Sequence, residues 1–271
     1  MSDAAAAPED ETDDLRVVRR GTGSPVLLVH GSAADHTTWM GQLVRTPDGL
    51  AVIAYDRRGG ESAPFPPGEV PTTERHADDA IALIHRCGRP VIVCGSSYGA
   101  VIALQVARRA PDRVAGLVLC EPPLPPSELV PGAPPGFGCA FDRLVATAGG
   151  EVAAEMFLRA VLGHAAFEAI TPRMRSTLCG MWRQIRADMI ALARTRLRHT
   201  ELRTEVPQPC LLLGGELSPS YYAASLDALE RALPDTRRAV VPAAGHAMQI
   251  DNHRAFNDLL LGFAREIGFA G

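Results

Sequence analysis

The chain has 271 residues, 46% of them hydrophobic and 21% charged, with a formal net charge of −4. That is enough chain for one sizeable α/β domain with room for an inserted subdomain, at an ordinary globular composition. The mild acidity, and the lack of any Lys/Arg block or long apolar stretch, argue against a nucleic-acid partner and against a membrane span.

Residues 1–14 are Ala-rich and then acidic, without the basic start and apolar run of a signal peptide, and read as a disordered tail. Leu15–Arg20 fits an edge strand, ended by the turn signal Gly21-Thr22-Gly23-Ser24-Pro25. Residues 26–29 are a continuous apolar run of the kind buried on both sheet faces, and 51–55 and 91–94 repeat it. The spacing predicts helices over 74–85 and 101–109, the second stopped by Pro111. Strands follow at 114–120 and 210–213, with a weaker one at 238–241, and helices at 221–233 and 254–267. Alternation of short apolar runs with helical patterns predicts βαβ units and a mostly parallel sheet. Residues 122–206 break it: a Pro/Gly-rich run from Pro122 to Gly138 leads into helical patterns with no convincing strand. Most apolar residues there are expected to pack helix on helix, and the segment as a whole to cover the strand C-terminal ends, where open α/β sheets bind ligands. Six cysteines, with no C-x-x-C pair, suit a reducing cytoplasm better than a disulfide framework or a zinc site.

The sharpest local signal is Gly95-Ser96-Ser97-Tyr98-Gly99, a G-x-S-x-G sequence directly after one predicted strand and directly before a predicted helix. Strand, sharp turn and helix are what a nucleophile elbow requires. Such a turn lifts a hydroxyl above the sheet edge and aims the helix N-terminus at a developing anion. Ser97 holds the central slot, and Ser96 reads as a structural turn residue.

From Leu15 onward the chain resembles the α/β-hydrolase superfamily, with the motifs in that family's order. Val26-Leu27-Leu28-Val29-His30-Gly31 is similar to its strand and oxyanion loop, with Trp39 further on. Tyr55-Asp56-Arg57-Arg58-Gly59 looks like the loop after the next strand, Gly95 to Gly99 like the elbow, and Gly245-His246 like the histidine loop. The resemblance implies an α/β-hydrolase fold. The core is expected at 15–121 and 207–271, with a helical cap at 122–206. It also implies His246 as general base, since the base comes last in this fold and a serine hydroxyl needs one. His30, His36, His76, His85, His164, His199 and His253 fall away from that slot.

The third member departs from the common pattern. Most relatives place an aspartate in a G-x-x-D sequence after the penultimate strand, whereas here the stretch is Gly215-Glu216-Leu217-Ser218. Some relatives, including a subset of haloalkane dehalogenases, carry the acid after the preceding strand, where this chain has Glu121. Glu121 is therefore the first candidate to orient His246, Glu216 the second, and an acid-free dyad the third. By resemblance the oxyanion donors are the amides of Ser32 and Tyr98. Asp56 and Asp78 read as structural.

The expected chemistry is acyl transfer on a small apolar ester, thioester or lactone through a Ser97–His246–Glu121 triad, with no metal or organic cofactor. C–C bond hydrolysis and lyase or cyclase chemistry on the same site are alternatives, and a non-catalytic binder of small molecules is the alternative of another class. A serine at the elbow argues against the dehalogenase and epoxide hydrolase chemistries, which use a carboxylate there. The expected partner is a small-molecule substrate, with oligomeric state and substrate left open.

Overall fold

A computed structural model of the chain describes residues 10–12, 15–60, 63–124 and 138–270. The first strands are β1 (Asp10–Thr12), β2 (Leu15–Arg20), β3 (Ser24–Val29) and β4 (Leu50–Tyr55), with the short helix α1 (Met40–Val44) before β4. Then come α2 (Thr73–His85), β5 (Val91–Ser96), α3 (Tyr98–Arg109) and β6 (Val114–Cys120). Six helices follow: α4 (Gly138–Ala148), α5 (Gly150–Leu162), α6 (His164–Ala169), α7 (Pro172–Gly180), α8 (Trp182–Arg194) and α9 (His199–Glu205). The chain closes with β7 (Cys210–Gly215), α10 (Tyr221–Ala232), β8 (Thr236–Val241), α11 (Met248–Asp251) and α12 (His253–Glu266).

The strands form one sheet in the order β1-β2-β4-β3-β5-β6-β7-β8. β2 pairs antiparallel with both β1 and β4, and every other pairing is parallel. The continuous apolar runs become β3, β4 and β5, buried along their whole length. Side chains alternate between two cores. Leu27, Val29 and Val93 face α2, α3 and α10, while Val26, Leu28 and Ile92 face α1, α11 and α12. Each such side chain, removed wholly from water, stabilises the fold by roughly 1.5–3 kcal/mol. β8 is the outermost strand of its side and alternates in burial, so its apolar signal is weak.

The structure differs from the sequence reading in three places. The disordered tail expected over 1–14 is corrected at Asp10–Thr12, which pairs with Leu15–Val17 as a short hairpin strand; the rest of that tail lies outside the described residues. Ser24 and Pro25 open β3 rather than a turn, pairing with Leu50 and Ala51. Pairing of β3 with β5 begins only at Val26, so the N–H that Pro25 lacks is not needed on that side. The elbow helix starts at Tyr98, three residues earlier than expected. Of the Pro/Gly-rich run after β6, residues 125–137 fall outside the described residues. Among the described residues no strand lies between β6 and β7, and the helices there share a core of their own, around Phe141, Leu158, Phe167 and Ile185. No helix among the described residues is long and apolar enough to cross a membrane.

Candidate active site

Four described residues other than glycine have positive φ: Ala33 (51°), Ser97 (54°), Glu121 (44°) and Ala243 (51°). They stand in the loops after β3, β5, β6 and β8, all at the C-terminal edge of the sheet. Such backbone costs on the order of 1–3 kcal/mol per residue and persists only where the surroundings over-determine it. Strain gathered at one edge makes that edge the candidate site.

The elbow is tight because two glycines let it be. A Cβ on Gly95 would lie 2.2 Å from Gly99 O, and one on Gly99 2.2 Å from Val29 O. The turn therefore closes on itself and presses against β3. Ser97 is held by its own amide, which donates to Cys120 O at 2.8 Å, and its side chain is half-buried at the N-terminus of α3. Gly31 faces it, since a Cβ there would come within 2.9 Å of Ser97 Cβ.

His246 lies in the loop after β8, and its Nδ1 is 2.7 Å from Glu121 Oε2. Glu121 Oε1 accepts the Gly215 amide at 2.8 Å. Both groups are buried, with side-chain exposures of 7% and 2%. An ionised carboxylate only accepts, so Nδ1 carries the proton and Nε2 presents its lone pair. That nitrogen is occupied by the Tyr222 hydroxyl at 3.0 Å, and the Tyr222 ring stacks on the imidazole with centroids 4.1 Å apart. Burial, reinforced by Tyr221 and Glu121, pushes the Tyr222 phenol well above its ordinary range, so it stays protonated, its one proton within reach of both Nε2 and Val161 O, the latter at 3.3 Å. Among the described residues no hydrogen bond joins Ser97 Oγ to His246.

The other sequence candidates sort by geometry. Glu216 is exposed and its Oε2 accepts the Ala243 amide at 2.7 Å, bracing the histidine loop without reaching the ring. Ser218 Oγ, in the slot where relatives carry aspartate, is buried without a hydrogen-bond partner. Ser32 Oγ donates to Asp188 Oδ2 at 2.7 Å, which leaves the Ser32 amide as that residue's donor toward the site. Tyr98 opens α3, and the first amides of a helix have no partner within it. Asp78 pairs with Arg109 at the surface, and Asp56 Oδ1 accepts both the amide and Nδ1 of His36. Asp35, His36 and Asp56 lie close enough together to share a cation. Two of their oxygens are engaged locally: Asp56 Oδ1 by His36, and Asp35 Oδ1 by the Thr37 amide, at 2.7–2.8 Å.

His30 is structural. Its Nε2 accepts the Arg57 amide at 3.0 Å, and its Nδ1 lies 2.8 Å from Gly31 O. Burial, then the Arg57 charge, lowers its pKa from 6.5 to about 3. An unfolded His30 takes up a proton below about 6.5 while the buried one stays neutral, so stability is full above that pH and is lost as pH falls toward 3. Between pH 7 and pH 5 this single group should remove about 2 kcal/mol. Buried His76, likewise lowered by burial and Arg57, acts in the same direction. Urea unfolding at the two pH values checks this: His30→Asn should show a shallower loss than wild type, and an unchanged loss would assign the acid sensitivity elsewhere.

Sequence reasoning missed Tyr222, Arg57, Gln184 and Asp188. Arg57 is buried and paired with Asp188 of α8 at 2.8 Å, the charge and hydrogen bonds of the aspartate outweighing the burial that opposes a charged guanidinium. The available signal was polarity out of place: Gln184 and Asp188 sit one helical turn apart, beside Ile185, on a face that packs inward. Tyr222 had no comparable signal in a helix with ordinary apolar spacing.

A mostly parallel sheet carries a serine at a tight strand-to-helix turn, a carboxylate-bound histidine and a glycine-backed loop at one edge, the framework of an α/β-hydrolase fold. The chain belongs to the alpha/beta hydrolase family, whose model matches residues 26–259. An uncharacterized hydrolase of Bacillus subtilis, YraK, is 36% identical over 105 residues, 38% of this chain and only 39% of that protein. A 2-(acetamidomethylene)succinate hydrolase of Mesorhizobium japonicum is 28% identical over 86% of this chain and 84% of its own length. Among solved structures, a thermophilic esterase from Thermogutta terrifontis superposes with a TM-score of 0.75 at 28% identity, covering 93% of each chain.

Proposed function

We propose that the protein is a serine hydrolase of carboxylic esters, thioesters or lactones, working through an acyl-enzyme on Ser97. The observation that carries this reading is the 2.7 Å contact between His246 Nδ1 and Glu121, at the same sheet edge as a strained elbow serine. The similarity to an esterase and to a succinate-derivative hydrolase supports it.

In the proposed cycle the incoming substrate displaces the Tyr222 hydroxyl, and Nε2 takes Ser97 Oγ as its partner. Ser97 attacks the carbonyl carbon and its proton passes to Nε2, while the Ser32 and Tyr98 amides receive the oxyanion. Glu121 stabilises the imidazolium and keeps the tautomer. The carbonyl re-forms, the leaving group departs with the proton from Nε2, and water repeats the sequence on the acyl-enzyme. The helices α4–α9 act as a cap that excludes bulk water and shapes the acyl pocket.

The test combines a fluorophosphonate probe with a panel of p-nitrophenyl esters of increasing acyl length. Wild type should be labelled stoichiometrically on Ser97 and should turn over the short to medium esters. A wild-type protein that neither labels nor hydrolyses any of them would sink the proposal in favour of a non-catalytic binder.

A further inference from the structure

The loop that carries one oxyanion amide is held from outside the sheet. Arg57 donates from Nε to His30 O and from Nη2 to Gly31 O, each at 2.9 Å. The Gly31 carbonyl and the Ser32 N–H belong to one planar trans peptide and so point in opposite directions. A guanidinium gripping that carbonyl turns the Ser32 N–H away from itself. Arg57 is in turn held by the Asp188 carboxylate, at 3.1 and 2.8 Å, and the same carboxylate accepts Ser32 Oγ. One helical turn earlier, Gln184 brackets Ala34: its Oε1 accepts the Ala34 amide at 3.2 Å and its Nε2 donates to Ala34 O at 3.0 Å. Between these two grips sits Ala33, at φ 51° and buried in the core that the inserted helices make among themselves. Both polar residues are nearly inaccessible, at 4% and 2%. The residue that caps the same helix, Thr195, reaches Tyr98 through Thr73, by hydroxyl contacts of 2.6 and 2.9 Å.

We infer that Gln184 and Asp188 on α8 are positioning residues that set the oxyanion loop, so that the inserted helices govern transition-state stabilisation and not only access. The inference rests on the serine-hydrolase reading above. A strained loop gripped on both sides of its strained residue has one conformation; released on either side, it relaxes and the Ser32 amide loses its aim. Removing an oxyanion donor costs about 10²–10³-fold in kcat, and a misdirected donor costs part of that.

Gln184→Ala strands no charge and is the primary variant, whereas Asp188→Asn leaves the buried Arg57 unpaired and risks misfolding. Arg186→Ala, which removes an exposed ion pair from the same helix to Asp142 of α4, is the control. Steady-state rates are measured on an oxoester and the matching thionoester, whose sulfur is the poorer acceptor, alongside amide hydrogen exchange over residues 32–34. For Gln184→Ala the expected result is a loss of about 10- to 100-fold in kcat on the oxoester with KM nearly unchanged. The thionoester rate should fall much less, exchange at 32–34 should accelerate, and the control should match wild type. Equal losses on both substrates, a change confined to KM, or unaltered kcat would overturn the inference. If wild type hydrolyses no ester, it is the hydrolase reading that fails, and exchange alone decides the clamp: unchanged exchange in Gln184→Ala overturns it.

Discussion

Ser97→Ala is expected to abolish turnover, by on the order of 10⁶-fold in kcat, while leaving the fold intact. The reasoning is geometric. The strained backbone at φ 54° is imposed by the surroundings of the turn, by Gly95 closing on Gly99 and by the Ser97 amide bound to Cys120 O. Alanine keeps the same Cβ and adds no strain, so only the Ser97 hydroxyl is lost. The circular dichroism spectrum and melting temperature should stay close to wild type, and fluorophosphonate labelling should vanish. Ser96→Ala, in the buried end of β5, should keep both labelling and turnover. If instead Ser97→Ala turns over substrate while Ser96→Ala does not, the nucleophile has been misplaced by one residue.

Glu121→Gln should cost about 10⁴-fold in kcat without unfolding the chain. Glutamine preserves shape, and its carbonyl can still accept the Gly215 amide as Glu121 Oε1 does. Its NH₂ then faces His246 Nδ1, which must become an acceptor, so the proton moves to Nε2 and the ring can no longer take one from serine. Glu216→Gln should be near wild type, since an amide oxygen still serves the Ala243 amide. The buried, unpartnered Ser218 Oγ supplies a further arm. It lies within 2.7 Å of where a Cβ on Gly215 would stand, beside the residue whose amide Glu121 binds. Ser218→Asp in the Glu121→Gln background should therefore recover part of the lost kcat. Near-full activity in Glu121→Gln, with Glu216→Gln dead, would move the orienting acid to the loop after β7.

The order of motifs along the chain was readable because each depends on local chemistry. Gly95 and Gly99 are demanded by a turn too tight for side chains. The buried strands show as unbroken apolar runs because both faces of the sheet are covered. Glu121 could be singled out because Ser218 stands where a carboxylate is usual, and the end of β6 offers the next one. Local chemistry does not say which groups meet. The 2.7 Å approach of Glu121 to His246 spans 125 residues and depends on β6 and β8 flanking β7 in the sheet, a matter of strand order. Tyr222 meets His246 only because α10 follows β7 back along the same edge, and nothing in its own helix announces that contact. The grip of Gln184 and Asp188 on residues 32–34 is more remote still, joining a loop after β3 to a helix some 150 positions later. In sequence they are two polar residues in an apolar pattern. Tertiary packing buries them against a strained loop and a guanidinium, where an unpaired charge would be intolerable, and that burial makes their placement specific.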